Sequence, residues 1–255
     1  MTVTVETRGP ARWLTIDREE RRNALSPEVI RGLIDGLADA AADDGVRVVV
    51  LTGAGERAFC AGGDIGGFQA ADGVEESAPA AVARLLDAFW WHPKPLVARV
   101  NGRALGGGFG LMMACDLAVA ADDAEVGMPE IDIGLWPHVI TAVIQRTVPR
   151  RIALEMMLTG RRFSADEAAR WGMLNRVVPR AGLDAAVEEL VDVLAAKSPH
   201  VIGLGKRSFA GAEGKSWTEQ LEHLKGMLEQ NLGAEDLVEG VSAFLEKRAP
   251  NWKGR

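Results

Sequence analysis

Three consecutive glycines, Gly106, Gly107 and Gly108, close an apolar run that passes through Asn101-Gly102, and the stretch behind them, 109–115, carries enough Leu, Met and Ala to be a buried helix. A strand, a glycine turn and a helix start bring backbone close to a ligand. They also aim the free amides of a first helical turn at an anion or a developing oxyanion. Further on, Met128-Pro129-Glu130 sets a carboxylate in an apolar neighbourhood. Upstream, Ala61-Gly62-Gly63-Asp64-Ile65 forms a second turn of small residues whose amides can face a ligand. Two amide turns and one acid are parts that could hold a carbonyl oxygen while a proton moves beside it. His138 lies past Gly134-Leu135-Trp136-Pro137 and offers an imidazole as a second candidate acid/base.

These residues need a scaffold, and the hydrophobic pattern supplies one. Residues 2–7 and 13–17 alternate with period two, as in a pair of strands. Ser26-Pro27-Glu28 then gives an N-cap, a first-turn proline and an early acid for a helix to about Ala41, and 48–51, Val-Val-Val-Leu, reads as a buried strand. The order repeats with a helix at 81–91 and a strand at 95–100, which suits right-handed coiling of strand and helix units. Between them, 69–77 is short-sided and acidic, a surface loop placed to rim a pocket. Beyond Pro149, helical spacing dominates: 152–158, 165–171, 183–196, 217–232 and 239–247. The fold class is α/β, organised as a core over residues 1–195 and a C-terminal helical region over 196–255 within one single-domain chain.

The 255 residues can bury one sizeable core. A net charge of −7, with no helix dominated by Lys or Arg, argues against nucleic acid as a partner. Cys60 and Cys115 are too few and too scattered for a disulfide framework or a metal site, and read as buried spacers in a reducing compartment. No apolar run approaches the roughly 20 residues of a membrane span, and the N-terminus lacks a basic start and an apolar core segment. The expectation is a cytoplasmic protein without metal.

The motifs Arg22-Asn23-Ala24-Leu25, Ala61-Gly62-Gly63-Asp64-Ile65, Asn101-Gly102 with Ala104-Leu105-Gly106-Gly107-Gly108, Cys115-Asp116, Pro129-Glu130, Leu158-Thr159-Gly160 and Gly172-Met173-Leu174-Asn175-Arg176-Val177-Val178 occur in one order across nearly the whole chain. In that order and spacing the chain resembles the crotonase, or enoyl-CoA hydratase/isomerase, superfamily. The resemblance implies a ββα spiral whose C-terminal helices pack on neighbouring subunits of a homotrimer or homohexamer. It also implies an acyl-CoA thioester substrate, with no cofactor other than the coenzyme A carried by that substrate.

By motif position, the amides of Ala61 and Gly107 are the expected oxyanion donors, each worth about 3 to 4 kcal/mol in the transition state. Glu130 is the expected acid/base, with burial raising its pKa. The acyl-CoA is expected against Asn23, Ala24, Leu25, Ala61, Gly63, Asp64, Ile65, Gly106, Gly107, Pro129 and Trp136. Arg18, Arg21, Arg22, Lys247, Arg248 and Lys253 could meet the CoA phosphates. Hydratases of the family carry a second glutamate where this chain has Gly110, and family isomerases keep only the later one. Enoyl-CoA double-bond isomerisation is therefore expected ahead of 2-enoyl-CoA hydration with a single glutamate. A binding protein of the same fold that has lost turnover is the reading from another class. On an extended segment Asp132 would share the side of Glu130, and His138 matches a position that carries a catalytic aspartate in some members.

Overall fold

The computed structural model describes residues 2–64 and 76–254. Ile65 and nearly all of the loop expected at 69–77 lie outside the described residues.

Strands β1 (Val3–Arg8) and β2 (Ala11–Ile16) form the expected pair, and they run antiparallel. Helix α1 (Pro27–Ala42) starts on Ser26, whose Oγ accepts from the Val29 N–H, with proline in the first turn. Strand β3 (Val48–Gly53) is buried throughout and runs parallel to β2. From there the chain winds between two sheets. The short strand β4 (Ala58–Cys60) enters a second sheet, helix α2 (Ala78–Trp90) follows, and β5 (Leu96–Val100) returns to the first. Strand β6 (Arg103–Leu105), helix α3 (Gly107–Ala114) and β7 (Leu117–Ala121) repeat the cycle, and β8 (Glu125–Gly127) steps out again. The six-stranded sheet has the order β1-β2-β3-β5-β7-β10, and the four-stranded sheet β4-β6-β8-β9, where β9 is Arg162–Ser164 and β10 is Arg176–Val178. Each turn thus takes one strand from each sheet and one helix, the ββα spiral that the resemblance implies.

Period two sorts the central strands onto two faces. Val49 and Leu51 join the main core with Leu33, Leu37, Phe59, Leu85 and Phe109, while Val48 and Val50 join Trp13, Val97 and Val119 beneath Leu183, Val187 and Val191. Those last three belong to α7 (Leu183–Ala195). Before it come α4 (Thr141–Thr147), α5 (Arg150–Thr159) and α6 (Ala165–Arg170), the last opened by a Ser164/Glu167 capping box.

Helices α8 (Pro199–Ala212), α9 (Trp217–Leu232) and α10 (Glu235–Glu246) complete the chain. Helix α9 has no buried residue, and Trp217, Leu228 and Leu232 on it are more than half exposed, as is Phe244 on α10. Among the described residues no helix is long and apolar enough to cross a membrane.

Candidate active site

The site begins at a turn with unusual backbone. Arg22 and Asn23 both adopt left-handed conformations, φ 54° and 57°, which asparagine tolerates better than most residues. Asn23 is fully buried, and its side chain explains why the turn holds: Nδ2 donates to Ala54 O at 2.9 Å and Ala58 O at 2.7 Å, and Oδ1 accepts from the Arg18 N–H at 3.1 Å. Asn101 grips the same region from the next turn of the spiral, donating to Gly53 O at 2.9 Å and Gly55 O at 2.7 Å. Asn23 was expected against the substrate. Its amide is instead spent on the strand that carries the second glycine turn.

The two turns zip together. Ala61 N–H donates to Arg22 O at 3.1 Å, Leu25 N–H to Gly62 O at 2.8 Å, and Asp64 N–H to Leu25 O at 2.8 Å. This corrects the expectation for Ala61, because its amide hydrogen is engaged inside the fold. The open amide is that of Gly63 instead. Leu25 and Gly63 form a parallel bridge whose bonds use the residues flanking Gly63, so the Gly63 N–H points away from Leu25 and takes no acceptor among the described residues. Beside it, Gly107 is the first residue of α3 and precedes the first intrahelical bond, Gly110 N–H to Gly106 O at 3.0 Å, so its amide is also open. A methyl built on Gly107 would sit 3.7 Å from Gly63 N and 3.3 Å from Leu25 Cδ1. Two free amides therefore adjoin, with the buried Leu25 packed against them. The Gly106 amide is not one of them, since it donates to Gly127 O at 2.8 Å.

Glu130 reaches the same place from the other side. A Cβ on Gly106, where φ is +54°, would lie 2.7 Å from Glu130 Oε1, so the carboxyl rests against the glycine triplet and only glycine fits beneath it. Glu130 Oε2 is buried without a hydrogen-bond partner among the described residues, and desolvation raises the pKa of the group above the ordinary carboxylate value. By contrast, burial pushes the Cys60 thiol up to about 12, which keeps it protonated and inert.

The wall opposite α3 is apolar. A Cβ at Gly110 would meet Ile140 Cγ2 at 2.5 Å and Ile140 Cβ at 2.8 Å, and Ile140 is itself buried. No longer side chain fits at 110 unless Ile140 moves. Pro129 and Glu130 open a 3-10 helix, Pro129–Ile133, in place of the extended segment expected there. That winding corrects the placement of Asp132, which turns away from the Glu130 side to set its Oδ1 against the Gly160 end of α5, 2.9 Å from where a Cβ on Gly160 would be. Trp136 is half-buried against the core. The His138 side chain is exposed, and among the described residues only its backbone N–H is engaged, donating to Trp136 O at 2.8 Å.

Of the basic residues, Arg18 is bonded to Asp64 and Ala24, and Arg248 to Glu239 and Glu246. Arg21, Arg22, Lys247 and Lys253 are exposed.

The resemblance extends to specific relatives. The chain is 35% identical to the carnitinyl-CoA dehydratase of Proteus mirabilis over 257 residues, covering 98% of this chain and 97% of that protein. The solved enoyl-CoA hydratase of Bacillus anthracis superposes with a TM-score of 0.93 at 32% identity over 100% of both chains. That of Mycobacterium smegmatis gives 0.91 at 33% identity over 99% of each. Residues 11–255 match the enoyl-CoA hydratase/isomerase family as a whole, a span that contains both amide turns, the Glu130 carboxyl and every strand of the spiral but β1. By sequence and by fold alike, this chain is an enzyme that belongs to the enoyl-CoA hydratase/isomerase family.

Proposed function

We propose that the protein stabilises the enolate of an acyl-CoA thioester between the amides of Gly63 and Gly107, with Glu130 as the single proton carrier, and that its reaction is migration of an enoyl-CoA double bond. The observation that carries this reading is the Glu130 carboxyl resting on Gly106, with Ile140 filling the space that a second acid at position 110 would need. In a 3-enoyl-CoA the Glu130 carboxylate takes a proton from C2, and the electron pair moves onto the thioester oxygen as a dienolate. The same carboxyl then returns the proton to C4, which leaves the double bond at C2–C3 in conjugation with the thioester. A carboxyl with a raised pKa suits both halves of that transfer. The amides stabilise charge that develops only in the transition state and intermediate, and the coenzyme A enters as part of the substrate.

The name of the Proteus mirabilis relative favours a second reading, loss or addition of water on an acyl-CoA, with Glu130 serving the water as well as the carbon acid. The two separate by assay: purified protein is offered 3-enoyl-CoA and 2-enoyl-CoA substrates. Faster consumption of the first supports isomerisation, and rapid hydration of the second alone overturns it.

Assembly as a homotrimer or homohexamer is part of the same reading. It is supported by the apolar side chains that α9 and α10 leave exposed, among them Trp217, Leu232 and Phe244. A cytoplasmic location fits this reading too.

A further inference from the structure

Backbone bonds zip the 22–25 turn to the 61–64 strand, and one side chain outside both closes the assembly. Arg18 Nη1 donates to Ala24 O at 2.9 Å, and Arg18 Nη2 donates to Asp64 Oδ2 at 2.9 Å. Its backbone is tied to the same turn, because Asn23 N–H donates to Arg18 O at 2.9 Å while Arg18 N–H donates to Asn23 Oδ1. The two side chains of the ion pair are only 16% and 15% exposed, so the pair is largely withdrawn from water.

What the guanidinium holds gives it a role. Asp64 follows Gly63, and Ala24 precedes Leu25, the bridge partner of Gly63. The two arms thus grip the residue after the open amide and the residue before its strand partner. We propose that Arg18 is the positioning residue of the oxyanion site: its planar fork fixes the separation of Ala24 from Asp64 and so the direction in which the Gly63 N–H converges with the Gly107 N–H on one oxygen. The inference rests on the enolate reading above. It also removes Arg18 from the cations open to coenzyme A phosphates, since both arms are occupied inside the fold. Arginine suits the task because two donors in one rigid plane meet two acceptors at once, which a lysine ammonium on a flexible stem does not do.

The test compares wild type with Arg18→Met, Arg18→Lys and Asp64→Asn in steady-state kinetics and in the difference infrared spectrum of a bound four-carbon 2-enoyl-CoA. In wild type the thioester carbonyl stretch moves to lower frequency on binding. In Arg18→Met that displacement shrinks, and kcat falls by about tenfold to 10²-fold, the scale of a sub-ångström to 1 Å misplacement, while KM changes little. Arg18→Lys restores the charge opposite Asp64 without the second bond and recovers part of kcat. A rise in KM with kcat and the carbonyl displacement unchanged assigns Arg18 to the coenzyme A phosphates and overturns the proposal. Unchanged kcat and displacement in Arg18→Met overturn it as well. If Arg18→Met does not fold, Arg18→Lys and Asp64→Asn decide: wild-type kcat and displacement in both refute a positioning role, and a loss in both supports it. A wild type that shows no carbonyl displacement at all marks failure of the enolate reading itself, a result distinct from a variant that keeps the displacement.

Discussion

The two sides of the site are built on opposite principles. The amide side, built on the 22–25 turn and the 61–64 strand, is tied down by hydrogen bonds: Asn23 and Asn101 lock the approach to β4, three backbone bonds zip two turns, and an arginine fork spans them. The proton side, from Met128 to Ile140, is loosely furnished. It is a 3-10 turn with exposed Ile133 and Leu135, a carboxyl whose Oε2 has no partner among the described residues, and an apolar wall at Ile140. On the proposed function, the difference follows from what each side would do. Donors stabilise a transient charge best when they cannot reorient, whereas a group that takes and returns a proton must keep its two states close in energy, which a strongly bonded carboxylate does not. That function would need both order on one side and a desolvated acid on the other, and the second costs stability.

The largest expected effect breaks the comparison on the proton side. Glu130→Gln keeps the shape but cannot accept a proton, so turnover should fall by about 10² to 10⁴ with acyl-CoA binding nearly intact, measured by kcat against KM. Full activity in Glu130→Gln together with its loss in His138→Ala would move the acid/base role to His138, exposed as it is.

On the amide side, Gly107→Pro should lower kcat by about 10² to 10³. Gly107 is the first residue of α3, the helix position that accepts proline most readily, so the amide is removed at small structural cost. Circular dichroism and thermal unfolding check that the fold survives, and a folded variant with wild-type kcat rules out Gly107 as a donor.

A smaller effect is expected where the two sides meet. Restoring a carboxylate by Gly110→Glu forces a side chain into Ile140, whose Cγ2 stands 2.5 Å from the new Cβ, and overpacking of that kind costs about 1 to 3 kcal/mol. The variant should unfold at lower temperature and gain no hydration of 2-enoyl-CoA. The pair Gly110→Glu with Ile140→Ala should recover stability, and any gain in hydration should appear only in the double variant.

What was legible in the sequence divides along the same line. The glycine triplet, Glu130 and the Ser26 cap are signals of residue type, and type survives any uncertainty of a residue or two. The open amide was not legible, because Ala61 and Gly63 are small residues of one turn, and which of them keeps its N–H free is decided by the bond from Ala61 N–H to Arg22 O, a residue far back in the chain. Asp132 was misplaced for a related reason: the same spacing that puts two side chains together on a strand separates them on a 3-10 turn. Ile140 lies far along the chain from Gly110, and nothing local says that they touch. Strands β4, β6, β8 and β9 are three residues each, too short to show a period, and α8 was hidden by Gly203, Gly205 and Gly211, although Ser198-Pro199 marks its start.

The smallest expected effect concerns pH and the cost of the desolvated acid. Desolvation raises the Glu130 pKa in the folded state above its unfolded value. Between those two values the folded protein holds more of this proton than the unfolded chain, so stability falls as pH rises through the window and stays lower above it. Glu130→Gln has no proton to lose there. The variant and the wild type should therefore unfold at similar temperatures at pH 4, below the window, and the variant should gain progressively as the pH rises, reaching a constant advantage once Glu130 is ionised in the fold. Wild-type activity should climb over the same interval, because the carboxylate is the form that accepts the first proton. Unfolding curves for the two proteins that stay parallel from pH 4 to pH 8 would show that the carboxyl finds a partner the fold does not display, and the contrast between the two sides of the site would then be one of geometry alone.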